Sequence, residues 1–239
     1  MPICKQFRMA KPRIINVPQK SEKLAEFVGI MLGDGSISRT NYEIQITSHS
    51  IHEKLYQDYI EILLNDLFGI KGRRVIIKNK DTTYNRINSI NLFEFLKSID
   101  MPIGDKGKYI PPWIFEKDEW MKACVRGLID SDGSLFLSSR HCILNYTSYY
   151  AQLLSDFTKC MDLLGVKYYI TPKRKDVNIT ALRDIKKIME TCGSSNPKHI
   201  IKFQEYINNK RTIRSKDLIT ELEKYKGSWS SLVRHTLGD

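Results

Sequence analysis

Two Asp-Gly-Ser triplets stand out as residues able to do chemistry: Asp34-Gly35-Ser36 and Asp132-Gly133-Ser134. Each closes a run rich in apolar residues, 27–33 in the first copy and 125–131 in the second. Paired carboxylates repeated within one chain suggest a single site assembled about a pseudo-twofold axis. Carboxylates beside helix C-terminal ends, whose free carbonyls carry partial negative charge, repel an isolated phosphodiester and attract a hard divalent cation. Oxygen donors with room for water suit Mg²⁺, and such an ion can activate water and stabilise a leaving oxygen. Asp130 is the extra carboxylate in the second copy. Its counterpart is Leu32, and two residues along a helix turn it roughly 200° away from Asp132, so it is expected to be exposed or in a local polar contact.

Small residues recur at helical spacing within both runs, Gly29 and Gly33 in the first, Gly127 and Ser131 in the second. Such faces let two helix backbones approach closely, which would bring the two Asp residues side by side. After the first motif, Tyr42, Ile44 and Ile46 alternate with Glu43, Gln45 and Thr47, the pattern of a half-buried strand. A helical period over 51–68 ends at Gly69, and 73–80 with 82–90 reads as a hairpin before a helix over 92–99. The second copy repeats the order. Cys142, Leu144 and Tyr146 alternate with Ile143, Asn145 and Thr147. A helix over 149–164 ends at Gly165, a hairpin spans 168–173 and 176–180, and a helix covers 182–191. Landmarks in the two copies stay in nearly constant offset, as a duplicated domain requires. Gly35 and Gly133 sit where a helix end often needs a left-handed residue.

The expected fold class is α+β: two pseudo-symmetric αββαββα repeats whose antiparallel sheets form a saddle, with the motif helices at the interface. The expected organisation is an extension over 1–20, a first repeat over 21–100, a linker over 101–118, a second repeat over 119–193 and a helical tail over 194–239. The tail reads as a cap on the second repeat.

The 239 residues carry a formal net charge of +11, and a hydrophobic content of 41% is enough for real cores. Such a charge favours a polyanion, nucleic acid ahead of a membrane surface. No apolar run is long enough to span a bilayer, and residues 1–16 lack the apolar stretch of a signal peptide. Five widely spaced cysteines without a Cys-x-x-Cys read as reduced thiols, so the expected location is intracellular.

Residues 125–133 closely resemble the signature of the LAGLIDADG homing endonucleases, and residues 27–35 resemble it more loosely, with Leu32 at the first acidic position. With the repeated topology, the resemblance extends over about 22–200 and is to the single-chain, two-repeat members. It implies a monomer straddling double-stranded DNA and cleaving both strands across the minor groove, with an intron or intein origin. By position it implies Asp34 and Asp132 as Mg²⁺ (or Mn²⁺) ligands, helped by the Gly33 and Ser131 carbonyls. It also implies a polar residue near the scissile phosphate, which Gln45 and its counterpart Asn145 match, and a lysine late in each repeat, which Lys108 and Lys198 match with Lys106 as a rival. The expected DNA-reading set is Glu43, Thr47, Arg74, Lys78, Lys80, Tyr84, Arg86 and Asn88 in the first repeat. In the second it is Arg140, Thr147, Lys173, Arg174, Lys175, Asn178 and Thr180. Arg pairs with guanine and Asn or Gln with adenine in the major groove, while Lys more often meets phosphate. The alternatives are an intron RNA maturase, a non-cleaving DNA-binding regulator on the same scaffold, or a compact structural protein.

Overall fold

The computed structural model describes residues 12–224, apart from 78, 105, 106, 139, 140, 172, 174, 212 and 214. Helix α1 (Glu22–Gly33) starts at Ser21, whose side chain accepts from the Leu24 amide, 3.3 Å away. Strands β1 (Gly35–Ser38) and β2 (Glu43–His49), helix α2 (Lys54–Phe68), strands β3 (Arg73–Ile76) and β4 (Thr82–Asn88), and helix α3 (Ile90–Ser98) follow. The second repeat runs α4 (Asp118–Asp132), β5 (Gly133–Ser138), β6 (His141–Thr147), α5 (Ala151–Leu163), β7 (Tyr169–Thr171), β8 (Asp176–Ile179) and α6 (Leu182–Thr191). Helices α7 (Pro197–Asn209) and α8 (Ser215–Lys224) complete the described chain. The αββαββα order is present twice. The strands form two four-stranded antiparallel sheets in matching order, β1-β2-β4-β3 and β5-β6-β8-β7.

Alternation decides which sheet face is covered. In β2, Ile44, Ile46 and Ser48 are buried, while Glu43, Gln45, Thr47 and His49 keep solvent contact. In β6, Cys142, Leu144 and Tyr146 face inward. One continuous apolar core joins both repeats through α1 and α4. The small-residue faces make that seam. A Cβ on Gly29 would stand 2.2 Å from the Cys124 carbonyl oxygen, and one on Gly127 2.3 Å from the Glu26 carbonyl oxygen. Any side chain at either position would push the backbones apart.

One expectation is corrected. Gly35 and Gly133 are not left-handed: Gly133 has φ −81° and ψ 155°, and both residues open strands. They are small because a Cβ would meet the Met31 and Ile129 carbonyl oxygens at 2.4 and 2.3 Å. Within 101–118, Met101, Ile103, Ile110, Trp113 and Ile114 are buried, and Trp113 packs edge-on against Trp120. The start of the tail, 194–198, contacts both repeats, as its polar contacts below show. Among the described residues no helix is long and apolar enough to cross a membrane. Cys124, Cys142, Cys160 and Cys192 are buried free thiols, and Cys4 lies outside the described residues.

Candidate active site

Asp34 caps the C-terminus of α1 and Asp132 ends α4, so the helix seam delivers the two carboxylates to one place. The Asp34 amide donates to the Ile30 carbonyl (3.0 Å), and its own carbonyl accepts from the Thr47 amide (3.0 Å). A Cβ at Gly33 would lie 3.3 Å from Asp132 Oδ2, which measures how closely the second carboxylate approaches the first motif. Burial, then the nearby Glu53 and Asp132 carboxylates, push the Asp34 carboxyl up to about 8. Burial pushes Asp132 up to about 6, against the Lys108 ammonium, which favours its ionised form. Lys108 Nζ donates to the Gly33 carbonyl (2.9 Å) and the Gly35 carbonyl (3.1 Å), and lies 5.7 Å from the Tyr150 ring centre. Burial lowers its pKa, while the two aspartates oppose that shift.

These donors fit a hard cation. Asp34, Asp132 and the Gly33 carbonyl supply oxygen only, and the last turn of α4 includes the Ser131 carbonyl, beyond the reach of intrahelical amides. The two carboxyls are desolvated, and Asp34 also faces the Glu53 and Asp132 carboxylates. Among the described residues no three His, Cys, Asp or Glu side chains group to hold a metal, so main-chain carbonyls and water would have to complete the shell. The Ser131 hydroxyl is turned back into its own helix, donating to the Gly127 carbonyl (2.8 Å).

A third acid acts on Asp34 electrostatically. Glu53, at the N-cap of α2, accepts from Lys198 Nζ (2.5 Å), Asn196 Nδ2 (3.2 Å) and the His49 amide (2.8 Å). Those partners, chiefly Lys198, hold its carboxyl below the usual range although burial opposes them. The repeat comparison could not find Glu53, because the matching N-cap of α5 is Tyr150. Lys198 is therefore paired with an acid, whereas Lys108 rests on carbonyls.

Asp130 is fully buried, not exposed. It accepts from the Ser194 hydroxyl and from the Ser195 amide (2.7 Å), and its carbonyl accepts from Asn196 Nδ2 (2.9 Å). Burial raises its carboxyl to about 7. Ser195 also donates its hydroxyl to Glu26 (2.6 Å), a buried acid of α1 that accepts from Tyr59 (2.6 Å) and Arg126 Nη2 (2.7 Å). Residues 194–198 thus tie Glu26 and Glu53 of the first repeat to Asp130 of the second. Sequence reasoning missed this strap, whose partners lie far apart along the chain.

The open face of the first sheet carries Glu43, Gln45, Thr47, Tyr84, Arg86 and Asn88, as their alternation predicts. Gln45 pairs with Ser36 and Arg86 across the ladder, and its side-chain oxygen accepts from Arg86 Nε (2.8 Å). It is Thr47, one ladder step nearer, that adjoins Asp34. Arg74 is corrected: it pairs with inward-facing Asn85 and is held by Asp58 and Glu61 of α2, each 2.5 Å away. A one-residue slip moves every side chain to the other face, and Arg73, paired with Arg86, takes the open side. In the second sheet Asn145 and Thr147 lie on the open face, but Asn178, beside Asn145 in the ladder, is buried, which corrects its expected place in the DNA-reading set. Lys80, Lys173 and Lys175 are exposed at turns, and Thr180 is exposed after β8. Lys78, Lys106, Arg140 and Arg174 lie outside the described residues.

Known proteins share this architecture. Residues 119–224 match the model of a LAGLIDADG-like domain, and residues 24–102 match that of a WhiA LAGLIDADG-like domain. The fold resembles the N-terminal LAGLIDADG domain of DUF199/WhiA, with TM-score 0.55 at 19% identity, covering 74% of this chain and 85% of that one. Full-length DUF199/WhiA from Thermatoga maritima gives 0.54 at 17% identity, over 88% of this chain and 69% of that one. I-DmoI in complex with DNA and Mn gives 0.51 at 21% identity, over 72% and 97%. The chain is also 30% identical over 131 residues to an A-type ATP synthase protein of Pyrococcus abyssi (strain GE5 / Orsay), which is 54% of this chain but 12% of that protein. The chain therefore spans only a small part of that relative's length. Motif, topology and both domain models agree that this chain carries two LAGLIDADG-like domains, one in each repeat.

Proposed function

We propose that the chain is a divalent-cation-dependent endonuclease that binds double-stranded DNA and hydrolyses both strands, as its resemblance to homing endonucleases suggests. One observation carries this reading: Asp34 and Asp132 meet at abutting helix ends with both carboxyls pushed up. Asp34, Asp132 and the Gly33 and Ser131 carbonyls would hold Mg²⁺ or Mn²⁺, which when bound supplies charge neutralisation and a more acidic water. The rest falls to the chain itself. Arg73, Arg86, Gln45 and the turn lysines bind and orient the duplex. Lys108 holds an ammonium beside both aspartates, where a phosphodiester would bring negative charge. The α1–α4 seam fixes the spacing between the two acids, which would set the spacing of the two cuts.

A second reading is DNA binding without cleavage. It is favoured by Lys108, whose ammonium already engages the Gly33 carbonyl expected of a metal ligand, and by the WhiA-type model over residues 24–102. One experiment separates them. A randomised duplex library is incubated with the full chain in Mg²⁺, Mn²⁺ or EDTA, and cut ends are sequenced. Cleavage should require the cation, and Asp34→Asn and Asp132→Asn should each keep DNA binding and lose double-strand cuts. Full cleavage by either variant would sink the shared site, and binding without any cut in either cation would favour the second reading.

A further inference from the structure

The two sheets share one register, so their open faces compare position by position. The row Ser36, Gln45, Arg86, Arg73 in the first sheet answers to Ser134, Asn145, Asn178, Tyr169 in the second. The next row, Ser38, Glu43 and Asn88, answers to Phe136 and Ile143. Two guanidiniums, a hydroxyl and a carboxylate on one face are thus replaced by a phenol, an amide, a phenyl ring and an aliphatic side chain on the other. Phe136 is 39% exposed and Tyr169 49% exposed, although both are large apolar groups in strands.

The polar groups of the second face are also spent on one another. Asn145 Nδ2 donates to Asn178 Oδ1 (2.9 Å), and Asn178 Nδ2 donates to the Thr171 hydroxyl (3.2 Å). Thr147 is shared between Asn145 Oδ1 (3.0 Å) and Asp176 Oδ1 (2.7 Å). On the first face Arg86 gives only its Nε to Gln45 and rests over the Tyr84 ring at 4.8 Å, and Arg73 is exposed. Its guanidinium forks remain available.

Base edges in the major groove differ in kind. Guanine offers two acceptors that suit a guanidinium, while thymine offers a methyl group that suits an apolar side chain. A phenyl ring set against a guanine edge would strip water from acceptors and return no hydrogen bond, which is costly. We propose that the two sheets read chemically unlike half-sites: the first recognises guanine-bearing sequence through Arg73 and Arg86, and the second recognises thymine methyls through Phe136 and Ile143. This rests on the reading of the open faces as a DNA surface.

Sequences are selected by the full-length protein from a randomised duplex library in EDTA. Selected sites should be lopsided, rich in G·C in one half and in A·T in the other. Replacing thymine by uracil in the A·T half removes the methyl and should lower affinity about fourfold per contacted base. The same exchange in the G·C half should do nothing. Phe136→Ala should relax preference in the A·T half alone, and Arg86→Ala in the G·C half alone. Both positions face solvent, and a thermal melt of each variant verifies that it folds. Equal composition in both halves, or indifference to uracil, would overturn the assignment. Salt-sensitive binding without any enriched sequence would overturn it while leaving the DNA surface standing. Absence of salt-sensitive binding would remove both.

Discussion

Replacing Asp34 by Asn should stabilise the protein at alkaline pH and do little at acid pH. The folded chain raises this carboxyl from 3.8 to about 8, through burial first and the Glu53 and Asp132 carboxylates next. Between those values the folded state keeps a proton that the unfolded chain has released. The folded state binds more protons, so stability falls as pH rises through this window. The limiting cost is about 1.4 kcal/mol per pH unit, or roughly 6 kcal/mol across the interval. Asp34 keeps some solvent contact, which screens it, so about 2 kcal/mol is the working expectation. Asn has nearly the same shape and cannot ionise, so its variant escapes the loss. In EDTA the gap between the variant and the native chain should be small near pH 5, about one pH unit into the interval. At pH 8 the variant should melt roughly 4–8 °C higher, given about 2–4 °C per kcal/mol for a chain of this size. Thermal melts in steps from pH 5 to 8.5 measure this directly. Adding Mg²⁺ at pH 8 should close the gap by stabilising the native chain, because a ligand that binds only the folded state adds its binding free energy. An equal gain at pH 5, or none at pH 8, would refute the claim that Asp34 is a desolvated acid crowded by its neighbours.

Two further substitutions probe the frame of the site. Gly127→Ala places a Cβ 2.3 Å from the Glu26 carbonyl oxygen and 2.7 Å from the Ile30 amide nitrogen. Both are backbone atoms that cannot swing away, so urea denaturation should show a loss of about 3 kcal/mol or more, and a loss below about 1 kcal/mol would contradict the close seam. Glu53→Gln leaves Lys198 without its acid and removes a negative neighbour of Asp34. It should cost about 2 kcal/mol at pH 7, since the lysine can still reach solvent, and the Asp34 carboxyl resonance in a carbon-detected NMR titration should move to lower pH. An unmoved titration would show that Glu53 does not act on Asp34.

What was legible in the sequence follows the range of the interactions. Gly29, Gly33, Gly127 and Ser131 announced the helix seam because small residues at helical spacing have one economical use, close packing against a like face. The alternation in 42–47 and 142–147 identified the covered faces of β2 and β6 correctly. The same logic failed at β3, a strand of four residues with charge at both of its first two positions, where Arg73 and Arg74 fit either register. Only pairing with β4 selects between them. Glu53, Glu26 and the Ser194–Asn196 strap were illegible for a different reason. Their partners are separated by as many as 169 positions, and no periodicity encodes such a contact.

Asp130 shows why a repeated motif is not a repeated site. The second copy has the better match to the signature, and its extra acid looks like a bonus ligand. In the fold it accepts from the Ser194 hydroxyl and the Ser195 amide and is fully buried under them. The first copy needs no acid there, since Leu32 fills the same place as core. The lysines diverge in the same way. Lys108 and Lys198 hold matching positions, but Lys108 stands beside Tyr150, the N-cap of α5, and Lys198 beside Glu53, the N-cap of α2. One lysine therefore faces a ring and two carbonyls, and the other a carboxylate. Sequence symmetry fixes where the groups stand, and a single unlike neighbour decides what charge each presents.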